Sequence, residues 1–529
     1  VNLPGRRIEA APASPRVVHA EELVVGKDIV ELLSTAMYVE PLALYREYVQ
    51  NAADAIDQAC RAGLLSGRAA GRIDVSLDAS GREVRIRDNG IGLPASDAER
   101  MLIAFGASRK RGDVESGARG FRGVGRLAAL GYAQALSFRT KAHGELRGTE
   151  VRWDCRKLRS ILLDPEYLGD LRDVVRDVVT VREGPKEELD SHYFEVHLER
   201  VVRLRNDLLL NEDEIRCYLA QVAPVPFPRT FRFATAIEEY LSDFLPGGHF
   251  EIRIGNSEAR VERPFSDEFA ISTGKTDRFT ELETITLEDP DIGLVAVGWV
   301  LHHGYHGAIH ASPGLRGLRA RVGDLQVGGP EIFAGIFPES RFNAWTVGEL
   351  HIIDPRVVPN GRRDNFEQNA AALTLIHRLG PLGRGLAHKC RDSSARRVRL
   401  KKFEANERKA IESLEILEDG KIGRAAADLI GKEIGSALGQ MQMLIEHDLL
   451  LRSEQEELRD RLETLRVRYD VVLRAPVGSA LKDVSKKQRA VYEQAVHWIF
   501  ECSPNRAAAK ALVDRIAARI QAGGDGDSA

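Results

Sequence analysis

The stretch LYREYVQNAADAID, residues 44–57, carries two messages at once. At about 100° per residue, Glu47, Asn51 and Asp54 fall within roughly 60° of one another, while Tyr45, Val49, Ala52, Ile56 and Ala59 take the opposite side. One face of the helix is therefore core, and the other is carboxylate, amide and carboxylate. Reading outward, residues 27–63 predict two helices broken at Glu40-Pro41, with Pro41 in the first turn of the second and Gly63 just past its end. The period then drops to two. Ile73, Val75 and Leu77 alternate with polar residues, 79–82 supply a turn, and Val84 and Ile86 alternate again, which reads as a β-hairpin. A glycine-rich stretch from Gly106 to Gly125 leads into a short helical run, RLAALGY (126–132), and alternating segments follow at 134–140 and 148–153. This order predicts an α/β sandwich over residues 21–185.

Inside that domain, Asp88 shares parity with Val84 and Ile86, so its side chain points toward the core where the strand ends. A carboxylate buried there needs a partner, and the exocyclic amine of adenine would satisfy it. Gly90 and Gly92 follow at once, and the missing Cβ lets backbone approach a flat ring. Gly120, Gly123, Val124 and Gly125 open the run RLAALGY, whose free N–H groups suit phosphate oxygens. A dinucleotide fingerprint would require an apolar strand just before, and RKRGDVESGAR (109–119) is not one. Lys110, flanked by Arg109 and Arg111 among glycines, reads as a basic lid. Thr149 shares parity with Val151 and Trp153, so its hydroxyl faces inward.

The 529 residues exceed one hydrophobic core, so several domains are expected. Residues 1–20, rich in Pro, Ala and Arg, read as a flexible lead-in, and 523–529 as a disordered tail. Strand-like and helical runs alternate over 190–388 and predict an α/β middle domain. Residues 395–522 have the Ala, Glu, Leu, Lys and Arg composition of a helical, coiled-coil, dimerising region, with a long run from Leu438 to Val472. The fold class is thus α+β. A net charge of -4 offers no global field for nucleic acid, and five scattered cysteines without a CxxC pair suggest neither a disulfide framework nor zinc. No long apolar run offers a membrane span, and a cytoplasmic setting is expected. GKT at 274–276 lacks the first glycine of a phosphate loop, since Phe269 stands there. The histidines of VLHHGYHGAIH (300–310) are interrupted by glycines and lack metal-ligand spacing.

The combination of ExxxNxxD, DNGIG, GxxGVG and GT resembles the Bergerat-fold ATPase superfamily of gyrase, histidine kinases, mismatch-repair proteins and the ninety-kilodalton heat-shock chaperone. LYREYVQNAADAID, RDNGIGL (87–93) and GARGFRGVGRLAAL (117–130) look like that chaperone's signature helix, adenine motif and phosphate loop. The resemblance implies ATP, ADP and Mg²⁺ as ligands, Glu47 as general base, Asn51 as the Mg²⁺ ligand, Asp54 as a supporting contact and Asp88 as the adenine reader. It also implies that Lys110 approaches the phosphates and that Thr149 joins the Asp88 network. NGRRD (360–364), after GELHIIDPRVVP, is similar to the chaperone's middle-domain loop, which implies Arg363 as an arginine for the terminal phosphate. Two functions are compatible with this pattern. One is a homodimeric chaperone-like machine acting on a protein client; the other is an ATP-gated clamp in DNA transactions or anti-invader defence, like the microrchidia branch.

Asp88→Asn is expected to abolish nucleotide binding, because losing a charge-assisted bond to the adenine amine costs about 1.5 to 3 kcal/mol. Titration calorimetry on a variant that keeps its circular dichroism spectrum checks this.

Overall fold

Alternating apolar and charged side chains between Arg72 and Asp88 close into the expected hairpin in the computed structural model, which describes residues 27, 40–103, 125–204, 206–245, 247–312, 314–419, 422–474 and 485–524. Strands β1 (Arg72–Asp78) and β2 (Glu83–Asp88) pair antiparallel, with Val75 opposite Ile86 and Ile73 opposite Asp88. Helix α1 (Ala43–Arg61) packs its apolar side on them: Tyr45, Val49, Ala52 and Ile56 are all at most 2% exposed, as are Ile73, Val75, Val84 and Ile86. Fully burying each large apolar side chain contributes roughly 1.5 to 3 kcal/mol. The first of the two helices expected over 27–63 lies almost wholly outside the described residues.

The chain divides into two compact units, Val1–Ala387 and His388–Ala529. In the first, β3 (Ala135–Lys141), β4 (Arg147–Asp154), β5 (Val179–Lys186), β6 (Tyr193–Glu199) and β7 (Glu251–Ile254) join β1 and β2 in one seven-stranded sheet of order β5-β4-β3-β6-β2-β1-β7. Only β1 and β7 run parallel; the other five pairings are antiparallel. The face turned away from α1 bears cross-strand ion pairs, Arg87–Glu195 at 3.3 Å and Arg139–Glu150 at 3.0 Å among them, so a sheet with one polar face needs helices on the other face alone.

This sheet corrects the expected boundary at residue 185. YFEVHLERV, assigned from sequence to a middle domain, is the strand between β2 and β3, and HFEIRIG supplies the edge beside β1. Local periodicity reveals that a segment is a strand but not which distant strand it pairs with.

Beyond α5 (Glu212–Val222; α2, α3 and α4 being Ala95–Ile103, Cys155–Leu163 and Leu171–Val178) and α6 (Ala234–Ser242) lies a second sheet. It comprises β10 (Glu281–Asp289), β11 (Gly293–His302), β14 (Val347–Ile352), β12 (Gly317–Val322) and β13 (Leu325–Val327), in that order, while β8 (Glu268–Ala270) and β9 (Thr276–Arg278) form a separate hairpin around Gly274 of the rejected GKT motif. Phe227, Phe231, Phe265, Phe279 and Trp299 build its aromatic core. His302 is bonded to Tyr305 and Glu283, and His303 to Asp277 and the Trp345 carbonyl, so both imidazoles are held by protein groups.

Helix α7 (Ala370–Glu418) begins in the first unit, well before residue 395, and continues into the second. The run Leu438–Val472 is not one rod. In the second unit it divides into α8 (Arg424–Ile445) and α9 (Arg452–Arg474), which pack together with α10 (Lys486–Cys502) and α11 (Arg506–Gly524) around Ile434, Met441, Leu462, Phe500 and Phe403 of α7. Among the described residues no helix is long and apolar enough to cross a membrane. Among the described residues about 48% are helix and 21% strand, segregated by region, so the α+β class holds.

A fragment ending at residue 188 would lack β6 and leave β2 and β3 facing a gap at the centre of the sheet. It is expected to give no cooperative thermal transition by circular dichroism, whereas the full chain does; a sharp transition in the fragment would contradict the strand order.

Candidate functional site

Helix α1 turns its polar face toward the open end of β2. Glu47 and Asp54 are each 4% exposed, Gln50 is 1% exposed and Asn51 is half-buried, so the helix buries two carboxylates within two turns. Such charges are retained only when something compensates them. For Glu47 the compensation is visible. Arg363 Nε stands 3.2 Å from its Oε1 and Arg46 Nη2 stands 3.4 Å from the same oxygen.

Arg363 arrives on a tight loop. Asn360 Nδ2 donates to Asp364 at 2.7 Å, Arg363 N donates to the Asn360 carbonyl at 3.1 Å, and the Arg363 carbonyl accepts from Gly328 N at 2.8 Å. Arg363 itself has φ +56°, a left-handed conformation that costs a non-glycine residue of order 1 kcal/mol. Its Nη1 also donates to Gln50 Oε1, and Arg46 Nη2 donates to the Arg362 carbonyl at 3.1 Å. The loop is thus fastened to α1 by three side chains, and the strain in its backbone is offset by these bonds.

Gly125 lies against the other oxygen of the same carboxylate: a Cβ there would come within 2.3 Å of Glu47 Oε2. From Gly125 to Gly131 the chain forms a 3-10 helix, not the α-helix expected for RLAALGY, and Tyr48 fixes it by donating to the Arg126 carbonyl at 3.0 Å while accepting from Ala129 N at 3.2 Å. Lys110, Gly120, Gly123 and Val124 lie outside the described residues.

At the end of β2 Asp88 is 5% exposed, with the Gly90 N–H donating to Oδ1 at 2.8 Å. Burial pushes its carboxyl up to about 7 against the opposing pull of that hydrogen bond and of Arg87. Gly90 crosses α1 so closely that a Cβ would meet Ala55 at 2.6 Å, and Ile91 N donates to the Ala55 carbonyl at 3.0 Å. Gly92, at φ +68°, has the Lys141 carbonyl 2.1 Å from where a Cβ would stand. Both glycines are therefore demanded by close backbone approach as well as by any ligand.

The structure does not bring Thr149 to Asp88. Asp88 pairs with Phe194 on β6, Phe194 with Thr140 on β3, and Thr140 with Thr149 on β4, so Thr149 is three strands away, roughly 14 Å at the usual strand spacing. Its inward parity says nothing about which strand it occupies. Thr140 supports the glycine loop instead, accepting from Leu93 N at 2.7 Å and donating to the Tyr193 carbonyl at 3.2 Å. Arg46 and Gln50 were also absent from the sequence reading of the site. Their only local signal is placement on the flank of α1 beside Glu47.

The family described as Histidine kinase-, DNA gyrase B-, and HSP90-like ATPase matches residues 43–165. Over 202 residues the chain is 25% identical to Chaperone protein HtpG of Geobacter metallireducens, covering 34% of this chain and 29% of that protein. Over 190 residues it is 28% identical to Chaperone protein HtpG of Alkalilimnicola ehrlichii, covering 33% of this chain and 29% of that protein. The matched stretch thus spans less than a third of these curated relatives. The chain carries an ATPase domain of this type with distant HtpG homology over it.

The raised Asp88 carboxyl sets a stability test that needs no ligand. Unfolded, Asp88 titrates near 3.9; folded, it titrates near 7, so between these values the native state holds the extra proton and stability falls as pH rises. Asp88→Asn removes that penalty, which is at most roughly 4 kcal/mol. The Tm difference between variant and wild type should therefore move in the variant's favour from pH 5 to pH 8, as read by calorimetry; a pH-independent difference would contradict it.

Proposed function

Starting from an ATPase domain at residues 43–165, we propose that the chain binds ATP between Asp88 and Gly125 and hydrolyses it to ADP and phosphate in a chaperone-like conformational cycle. The observation that carries this reading is the contact of Glu47 with Arg363, a residue 313 positions beyond Gln50 on the same pocket wall. A loop from the second sheet thus reaches the carboxylate best placed to activate water.

In the proposed reaction Asp88 accepts a hydrogen bond from the adenine amine, and Gly90 leaves room for the ring. By the resemblance of GARGFRGVGRLAAL to a phosphate loop, Gly120, Gly123, Val124 and Gly125, together with Lys110, are the groups assigned to the phosphates. Asn51 supplies an amide oxygen beside the carboxylates of Glu47 and Asp54, an all-oxygen donor set that suits Mg²⁺, which when bound would neutralise phosphate charge. Glu47 takes a proton from water as the water oxygen bonds to the γ-phosphorus, and the bond from phosphorus to the bridging oxygen breaks, leaving ADP.

The ion pair with Arg363 occupies one oxygen of the Glu47 carboxylate. A terminal phosphate, carrying more charge than one carboxylate, draws the guanidinium to itself; this frees the carboxylate and places positive charge where the transition state needs it. Hydrolysis is thereby tied to the position of the 360–364 loop, which is what a conformational cycle requires. Homodimerisation through the helical unit is part of the same proposal, supported by exposed apolar side chains: Val467 and Val471 on α9 are 56% and 65% exposed, and Val491 and Trp498 on α10 are 71% and 57% exposed.

Glu47→Ala should leave ATP binding intact and lower turnover by roughly a hundredfold or more. Arg363→Ala should lower turnover while hardly changing affinity for ADP, which lacks the contacted group, and the double variant should fall short of the product of the two effects because both act at one step. Steady-state phosphate release with parallel binding calorimetry decides it; a silent Arg363→Ala would sever the loop from the chemistry.

A further inference from the structure

A cavity of about 380 Å³ opens beside the Arg363 loop, and neither Asp88, Asn51, Glu47 nor Gly125 lines it. It lies between the start of α1, helix α5 and the strands β12 and β13. Leu42, Ala43 and Val222 give it apolar wall, and Arg46, Arg319 and Gln326, none more than 7% exposed, form its buried polar part. Glu40, Glu214, Arg362 and Asp364 also line it and are exposed, as is Cys217.

Arg319 is the informative residue. Three arginines, Arg263, Arg319 and Arg321, are at most 5% exposed in this region. Glu349 answers two of them, bonding Arg263 and standing 2.8 Å from Arg321. Arg319 has only neutral acceptors: Gln326 Oε1 at 2.9 Å, Gln221 Oε1 and the Arg316 carbonyl at 3.4 Å, and the Gly314 carbonyl. Among the described residues its Nε has no hydrogen-bond partner. Burial is costly enough to pull this guanidinium down to about 10. Glu349 lies near enough to attract Arg319 but is already bonded to Arg263 and Arg321, so a buried cation with no acid of its own in hydrogen-bond contact, next to a cavity large enough for a small molecule, has room for a further counter-charge.

We propose that this cavity binds a small organic anion, with its phosphate or carboxylate end directed to Arg319 and its apolar body against Leu42, Ala43 and Val222. The exposed acids Glu40, Glu214 and Asp364 disfavour anionic groups at the mouth, so the ligand carries its charge at the inner end. Arg46 and Arg363 line the cavity and also hold Glu47, so occupancy competes for the guanidiniums that engage the carboxylate and changes ATP turnover. This coupling, unlike the binding itself, rests on reading Glu47 as the general base.

Cys217 reports occupancy in the full-length chain. Alkylation by N-ethylmaleimide is followed by peptide mass spectrometry, with exposed Cys502 as the internal control. Phenyl phosphate at five times its Kd should slow labelling of Cys217 about sixfold and leave Cys502 unchanged, and phenol should protect neither. Arg319→Gln should lose the protection. Should that variant fail to fold, Gln326→Glu decides, because it supplies a carboxylate to Arg319 from within and keeps the side chain's shape; it should fold at least as stably and also lose the protection. Failure of phenyl phosphate to protect, equal protection by phenol, or undiminished protection in Gln326→Glu would each overturn the site. Protection of Cys217 with no change in ATP turnover would overturn the coupling and leave the site standing.

Discussion

A buried negative charge on Glu47 is the constraint around which the first unit is arranged. One carboxylate oxygen faces Arg363 and Arg46; the other faces Gly125 at a distance that no side chain on Gly125 would permit. In a low-dielectric interior an unpaired carboxylate is costly, so the helix, the 3-10 segment and the distant loop are each positioned by the same group. Placing the charge this way couples two needs. Under the proposed mechanism, the cations that make its burial tolerable are also the ones that must move aside before the carboxylate meets water.

The parts of the molecule legible in its sequence are those whose physics is local. The two faces of α1 follow from helical period, the hairpin from alternation, and the inward aim of Asp88 from parity within one strand. What sequence conceals is which strand neighbours which. Thr149 has the inward parity expected of it but stands across the sheet from Asp88, and the strand beside Asp88 is one that periodicity had placed in another domain. Helix type and continuity fail for a related reason: glycines and tertiary contacts hold RLAALGY as a 3-10 helix, and the run from Leu438 is interrupted at residues 446–451, where the helices turn back to share a core. Arg363 became a candidate through resemblance alone, since no local pattern says that a loop will meet a helix 313 residues away.

The buried arginines of the second sheet show a different economy of charge. Glu349 is held well below the usual carboxylate range by Arg263 and Arg321, despite complete burial, whereas Arg319 is left to neutral oxygens. Two arginines sharing one acid make a rigid joint between the Phe227–Arg263 segment and strands β12 and β14.

The strand order also governs how the chain is made. Asp88 pairs with Phe194, 106 residues later (194 − 88), and β1 waits for β7 longer still. At a ribosomal pace of about 5 to 20 residues per second, the first hairpin stands with both edges open for roughly 5 to 20 s before its central neighbour has been synthesised. Open edges of this kind invite pairing with other chains. The polar face of β2, with Glu83, Arg85 and Arg87 on alternate positions, is a safeguard during that interval, because charged, hydrated side chains on an open strand disfavour its burial against another copy.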